Sequence, residues 1–378
     1  MWLFALLLAG WVILRGALPL RIRWELKAGI SAAILLVAFK FHLLYLFGGP
    51  RFFAPDLPGF VILISAWLHI ILFLFFFLLL GSEIVRGVVC LYMLIRKIER
   101  TERFRIAGNR INLALLIIAC LMSTFGILNG VATPNVRALT IVINKLPPEL
   151  DGLTVAVIAD LHVDGLTQAD DIKKIVQKTN SARPDLIAAI GDFADGSVKT
   201  EGGKLLPLKD LSAKYGVYGV PGNHEYYSGY TEWMPFMESL GIEMLENRHV
   251  ALFNGKLILA GVTDPVAFRR GGIAPDIGAA LKNVDRRVPI ILLSHQPRLA
   301  PDAAEYGVDL QISGHTHGGM ILGVDYLVGL FNRGFVSGLY RVKNMILYVS
   351  NGTGIWSGFP VRLGVSSEIT LLRLESRE

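Results

Sequence analysis

Cysteine is nearly absent from this 378-residue chain: Cys90 and Cys120 are the only two, and both lie in the first third. Nothing after Cys120 can form a disulfide or supply a thiol nucleophile, so a stapled fold and cysteine catalysis are excluded there. Charge is scarce too, at 18% of residues against 53% hydrophobic, which excludes a disordered chain. The sequence also lacks a GxxxxGK[ST] phosphate loop, a GxGxxG dinucleotide fingerprint, a solenoid-length repeat and any low-complexity tract. No organic cofactor is therefore expected. The formal charge of +6 suggests a basic binding surface until it is located. Residues 1–131 hold 13 Lys and Arg against 5 Asp and Glu, a net of +8, and the remainder nets −2. A nucleic-acid partner is not expected of a slightly acidic domain.

The positive third is also the apolar third. Residues 28–47, 59–80 and 111–131 are each long enough to cross a bilayer core of roughly 30 Å at about 1.5 Å per helical residue. Residues 1–14 form a shorter apolar run closed by Arg15, without a basic leader or a small-residue cleavage site, and read as a retained first helix. The segments 15–27 and 86–110 are rich in Arg and Lys, whereas 48–58 offers only Arg51 and Asp56. The positive-inside rule puts both basic segments in the cytoplasm. About four transmembrane helices in 1–131 would anchor the chain in the cytoplasmic membrane, with the domain 132–378 on the extracytoplasmic side. Lys40 and His42 interrupt the second run, and Lys40 is expected to snorkel toward the outer interface.

After Pro134 the pattern becomes short β-branched runs alternating with amphipathic helical segments, the signature of a layered α/β domain. Strands are predicted at 153–159, 186–190, 216–220, 257–262, 290–293, 310–313, 345–349 and 368–374. Polar blocks follow five of them: Asp160-Leu161-His162, Gly191-Asp192-Phe193-Ala194-Asp195, Gly222-Asn223-His224-Glu225, Ser294-His295 and Gly314-His315-Thr316-His317. Five of the six histidines beyond residue 131 sit in these blocks, and the sixth, His249, is assigned to the surface. Strand carboxyl ends in an α/β sheet converge on one crevice. Carboxylates, an amide oxygen and neutral imidazoles together suit a pair of divalent ions, with Mn, Fe or Zn favoured by the mixed donors. His224-Glu225 does not open a zincin motif, because Ser228 stands where the second histidine belongs.

The blocks DxH, GDxxD, GNHE, a lone His and GHTH, in that order, resemble the signature of the calcineurin-like metallophosphoesterases. The run from Ser294 to Gly319 and the tail SEITLLRL are similar to the membrane-linked bacterial branch, which includes enzymes like UDP-2,3-diacylglucosamine pyrophosphatase; Met320 departs from the Gln expected after GHTHGG. The resemblance implies a four-layer αββα sandwich after the helical membrane domain, and two divalent metal ions. It implies that Asp160, His162 and His317 hold one ion, Asn223, His295 and His315 the other, and that Asp192 bridges them. His224 is then the catalytic non-ligand, with Asp195 and Glu225 orienting their neighbours. The implied reaction is hydrolysis of a phosphoester or pyrophosphate bond by in-line attack of a bridging hydroxide. An apolar run at 320–335 and the aromatic segment 226–237 are candidate acyl-chain contacts, so a lipid-linked substrate is one expectation. A soluble nucleotide or other phosphodiester at the cell surface is a second, and a non-enzymatic metal-binding scaffold a third.

Overall fold

The computed structural model describes residues 2–47, 55, 57–99 and 102–377. The chain divides into two compact units, one of residues 1–128 with 357–361, the other of 129–356 with 362–378.

In the first unit, α1 (Trp2–Val12) continues through a π-helical turn to Ala17, and α2 (Trp24–Ala38) is followed by α3 (Lys40–Phe47). The long helices α4 (Gly59–Ile95) and α5 (Glu102–Val131) complete it. Among the described residues α4 and α5 contain helices long and apolar enough to span a membrane, and α2 with α3, bent by 68°, would make a third span. Helix α4 has 37 residues, about 55 Å by helical rise, so Arg86 lies within it rather than in a loop. The segment 48–58 falls almost wholly outside the described residues. Ser123 Oγ donates to the Trp67 carbonyl, and Trp67 Nε1 donates to Thr124 Oγ1, tying α4 to α5. Lys40 does not snorkel: it is buried at the bend and its ammonium donates to the Gly358 carbonyl at 3.2 Å. An ammonium removed from water needs such an acceptor.

The second unit contains two mixed six-stranded sheets. Its strands are β1 (Asn135–Ile143), β2 (Thr154–Ile158), β3 (Leu186–Ile190), β4 (Val217–Val220), β5 (Glu243–Met244) and β6 (Arg248–Leu252). The others are β7 (Leu257–Gly261), β8 (Ile290–Leu293), β9 (Leu310–Ser313), β10 (Gly338–Val342), β11 (Met345–Val349) and β12 (Glu368–Ser376). The orders are β1-β12-β2-β3-β4-β5 and β10-β11-β9-β8-β7-β6. Helices α6 (Ala169–Ser181), α7 (Val198–Leu205), α8 (Asn223–Ser228) and α9 (Tyr230–Ser239) follow strands of the first sheet. Helices α10 (Ile277–Ala280), α11 (Ala300–Glu305) and α12 (Asp325–Phe331) follow strands of the second.

Period-two alternation decides the layering. Val155 and Val157 of β2 meet Ile291 and Leu293 of β8 in a core between the sheets. The alternate residues Ala156 and Ile158 face Ile172, Ile175 and Val176 of α6 and Trp233 of α9. Ile290 and Leu292 pack with Ile277, Ala300 and Ala303 of the opposite helical layer. Both faces of each sheet are therefore covered, and the domain is an αββα sandwich. Strands β2, β3 and β4 run parallel, as do β7, β8 and β9, so their carboxyl ends share one edge of each sheet. His249 is half-buried on β6, with Nδ1 2.7 Å from the Ala280 carbonyl, rather than fully at the surface.

Candidate metal centre

The predicted site residues stand in the turns after β2, β3, β8 and β9 or, for Asn223, His224 and Glu225, in the first turn of α8 after β4. Those turns are tight. Asp160, His162, Asp192, His315 and His317 have φ of 55°, 47°, 53°, 73° and 49°, in the left-handed region that residues with a Cβ avoid. The turns are laced together: Asp160 N–H donates to the Gly191 carbonyl and His162 N–H to the Asp192 carbonyl, both at 3.0 Å. Asp160 Oδ1 accepts from His315 N–H at 2.9 Å, and Asp192 Oδ1 from His224 N–H at 2.8 Å. The crowding explains two glycines. A Cβ on Gly222 would lie 2.1 Å from Asp192 Oδ1, and one on Gly314 would lie 2.6 Å from Asp160 Oδ2.

Three groups of side chains converge closely enough for ligand atoms to share an ion: Asp160 with His162 and His317, His162 with Asp192 and His224, and Asp192 with His295 and His315. Within the first, His162 Nε2 lies 3.0 Å from His317 Nε2. Two nitrogens bound to one ion at about 2.1 Å stand roughly 3 Å apart, so the spacing fits a shared cation. His162 Nδ1 faces Asp195 at 3.1 Å, which leaves Nε2 free for the site. His295 Nδ1 is held by the Ile190 carbonyl at 2.7 Å, which turns its Nε2 into the site 3.1 Å from Asp192 Oδ2, and Asn223 Oδ1 is buried with no hydrogen-bond partner. Buried acceptors left unpaired are costly without a cation. The donor set fits two divalent ions.

The electrostatics agree with that reading. Burial alone would raise the Asp192 carboxyl, but His295, His224 and His162 hold it well below the usual carboxylate range. Asp195 is likewise held low against burial by His224 and His162, between which it sits. Burial opposes a charge on His224, yet Asp195 and Asp192 outweigh it and push its pKa up to about 10. Burial, with His295 nearby, pushes His315 down to about 3, which leaves that ring neutral. Glu225 is fully buried and accepts from the N–H groups of Asp192 at 3.0 Å, Phe193 at 2.7 Å and Gly222 at 2.7 Å. It pins the turn after β3 to the turn after β4.

Sequence reasoning passed over several neighbours of the centre. Arg362 is buried and donates to the His317 carbonyl at 2.7 Å. Asp264, after β7, is fully buried and accepts from Gln296 Nε2 at 3.0 Å, next to His295. Tyr227 and Trp356 stand 5.4 Å and 6.3 Å from the His224 ring, and the Arg270 guanidinium lies 5.0 Å from the Tyr227 ring. Only Asp264 carried a local signal, as an Asp-Pro pair just past a strand.

Residues 153–319 match the calcineurin-like phosphoesterase family. A metallophosphoesterase of Helicobacter pylori is 39% identical over 251 residues, 66% of this chain and 66% of its own length. A transmembrane protein with metallophosphoesterase domain from Danio rerio is 34% identical, across 69% of this chain and 62% of its own. A metallophosphoesterase of Aquifex aeolicus is 32% identical, across 64% of this chain and 92% of its own. This chain thus spans slightly less than two thirds of the first two relatives. It belongs to the calcineurin-like phosphoesterases, a family of dinuclear metal-dependent enzymes that hydrolyse phosphoesters, and its apolar helices associate it with a membrane. None of these three relatives is named for a UDP-2,3-diacylglucosamine substrate.

Proposed function

We propose that the chain is a multi-pass membrane phosphoesterase whose metal centre faces the extracytoplasmic side and acts on a phosphoester or pyrophosphate carried by a lipid. The observation that carries the reading is the placement of Asp192 in two of the three ligand groups, its Oδ2 lying 3.7 Å from His162 Nε2 and 3.1 Å from His295 Nε2. Asp160, His162 and His317 would hold one ion; Asn223, His295 and His315 would hold the other; Asp192 would be shared. Two bound ions supply Lewis acidity that activates water and neutralises phosphoryl charge for in-line displacement.

The residues around them do the positioning. Asp195 accepts from Nδ1 of both His162 and His224, fixing each ring. His224, so held and charged, is placed to give a proton to the departing oxygen or to pair with a phosphoryl oxygen. Glu225 keeps the Asp192 turn in its left-handed conformation through the N–H groups of Asp192 and Phe193. The cytoplasmic assignment of the basic segments 15–27 and 86–110 supports the outward orientation.

The test is metal analysis of the purified full chain, followed by hydrolysis of an artificial aryl phosphodiester and of phospholipid, nucleotide and glycolipid-phosphate panels. Excess chelator should abolish turnover, and Asp192→Asn should lower kcat at least about a hundredfold, the scale on which losing one electrostatic stabiliser acts. Wild-type turnover in chelator, or undiminished turnover by Asp192→Asn, overturns the assignment.

A further inference from the structure

The second unit carries an apolar face that its own fold leaves uncovered. Leu322 is 75% exposed, Tyr326 80%, Leu330 77% and Phe331 78%, with Leu327 beside them. Tyr326 with Leu330, and Leu327 with Phe331, are four residues apart on α12 and so lie along one side of it. Gly329, on the other side of the helix, is buried. Contiguous exposed apolar surface of this kind marks an interaction site.

This face is built onto the metal centre. The turn holding His317 runs directly into it, and the close approach of α12 is what demands glycine at 319: a Cβ there, at φ +77°, would meet the Asp325 main chain at 2.5 Å. Leu363 N–H donates to the Met320 carbonyl and Leu322 N–H to the Leu363 carbonyl, both at 2.9 Å, beside the Arg362 that grips His317. At the far end, Thr316 Oγ1 donates to the Val336 carbonyl at 2.6 Å. Both ends of the α12 segment are thus tied to the ligand turn.

The chemistry of the face matches a bilayer surface. Leucines and a phenylalanine point outward, and a shallow cavity of about 480 Å³ beside them is lined by Tyr326, Leu330, Tyr340 and Arg333. Apolar side chains flanked by tyrosine and a basic residue are what sit at the level of lipid headgroups. The domain is also tethered for such contact: only residues 132–134 separate the end of α5 from the start of β1.

We propose that α12 and the turn before it form an interfacial membrane-binding face, with the lipid bilayer itself as partner. It presents the metal centre to phosphoester groups at headgroup level. The last step rests on the phosphoesterase reading above; the docking of the face does not.

The experiment uses the full chain in phosphatidylcholine–phosphatidylglycerol vesicles, with Cys90→Ser and Cys120→Ser removing the native thiols. A bimane label is placed at Leu330→Cys or Phe331→Cys, and, as control, at Arg287→Cys, which lies just before β8 at the opposite sheet edge. Doxyl-bearing lipids should quench the first two labels at least about twice as strongly as the third, as expected of side chains sunk into the headgroup boundary. Quenching no stronger than at Arg287→Cys overturns the proposal. So does a label shielded from water but untouched by doxyl lipid, which would mean a second copy covers the face. Two labelled positions guard against one variant misfolding. The same quenching in a chain carrying Asp192→Asn keeps the tests separate, since loss of hydrolysis leaves docking unchanged.

Discussion

Asp264 brings a carboxylate to full burial and leaves one of its oxygens without a hydrogen-bond partner. Burial, against the opposing pull of His295, raises its pKa from 3.8 to about 6. The folded chain then binds the extra proton between about pH 4 and 6, so this group lowers stability as pH rises through that window and costs most above it. Asp264→Asn has no such charge and keeps an amide able to cap the following turn. In excess chelator its stability relative to wild type should rise from pH 4 to 6 and then level off, by on the order of 3 kcal/mol. Thermal unfolding at stepped pH reads this directly; parallel curves would mean the carboxylate finds compensation when folded. Asp160, His162, Asp192, Asn223, His295, His315 and His317 were legible as ligand candidates because each lies in a short polar block just past a strand. Asp264 and Arg362 reach the same centre across sheet neighbours, and no spacing along the chain encodes that proximity.

Helix α9 shows how an element serves a site it does not touch. Trp233 is wholly buried in the layer between the first sheet and its helices, and its Nε1 donates to the Gly196 carbonyl at 2.9 Å. That carbonyl belongs to the residue after Asp195, so the indole both fills the core and holds the turn that orients His162 and His224. Trp233→Ala should cost about 3–5 kcal/mol through the cavity it leaves. Trp233→Phe should cost less but release the Gly196 carbonyl, visible as faster amide exchange in the turn after β3. Denaturant unfolding compares the two, and equal losses would argue that the indole nitrogen contributes nothing. Strand legibility followed burial in the same way. The eight strands predicted from sequence are the eight interior ones, whose side chains are mostly buried and so read as largely apolar runs. The four passed over, β1, β5, β6 and β10, are the four sheet edges. Their exposed faces dilute the apolar pattern, and β5 has only two residues.

For the whole molecule, net charge is informative only when divided. The +8 of residues 1–131 and the −2 of the remainder have different physical meanings, the first bearing on the proposed membrane topology and the second on the charge of the α/β part. A reporter active only outside the cytoplasm, fused after Leu150, should be active, and one active only inside should be silent; the reverse would invert the proposed orientation. The sequence by itself determined the division into an apolar helical part and an α/β part, the interior strands, and the identity of the ligand candidates. Those features depend on short-range periodicity and on contiguous blocks, which the chain carries locally. Tertiary structure alone decided that Asp264 and Arg362 adjoin the centre, that Lys40 is buried, and that α12 turns its leucines outward. Each of these depends on which distant segments pack together, and an apolar run reads the same along the chain whether the fold covers it or leaves it bare.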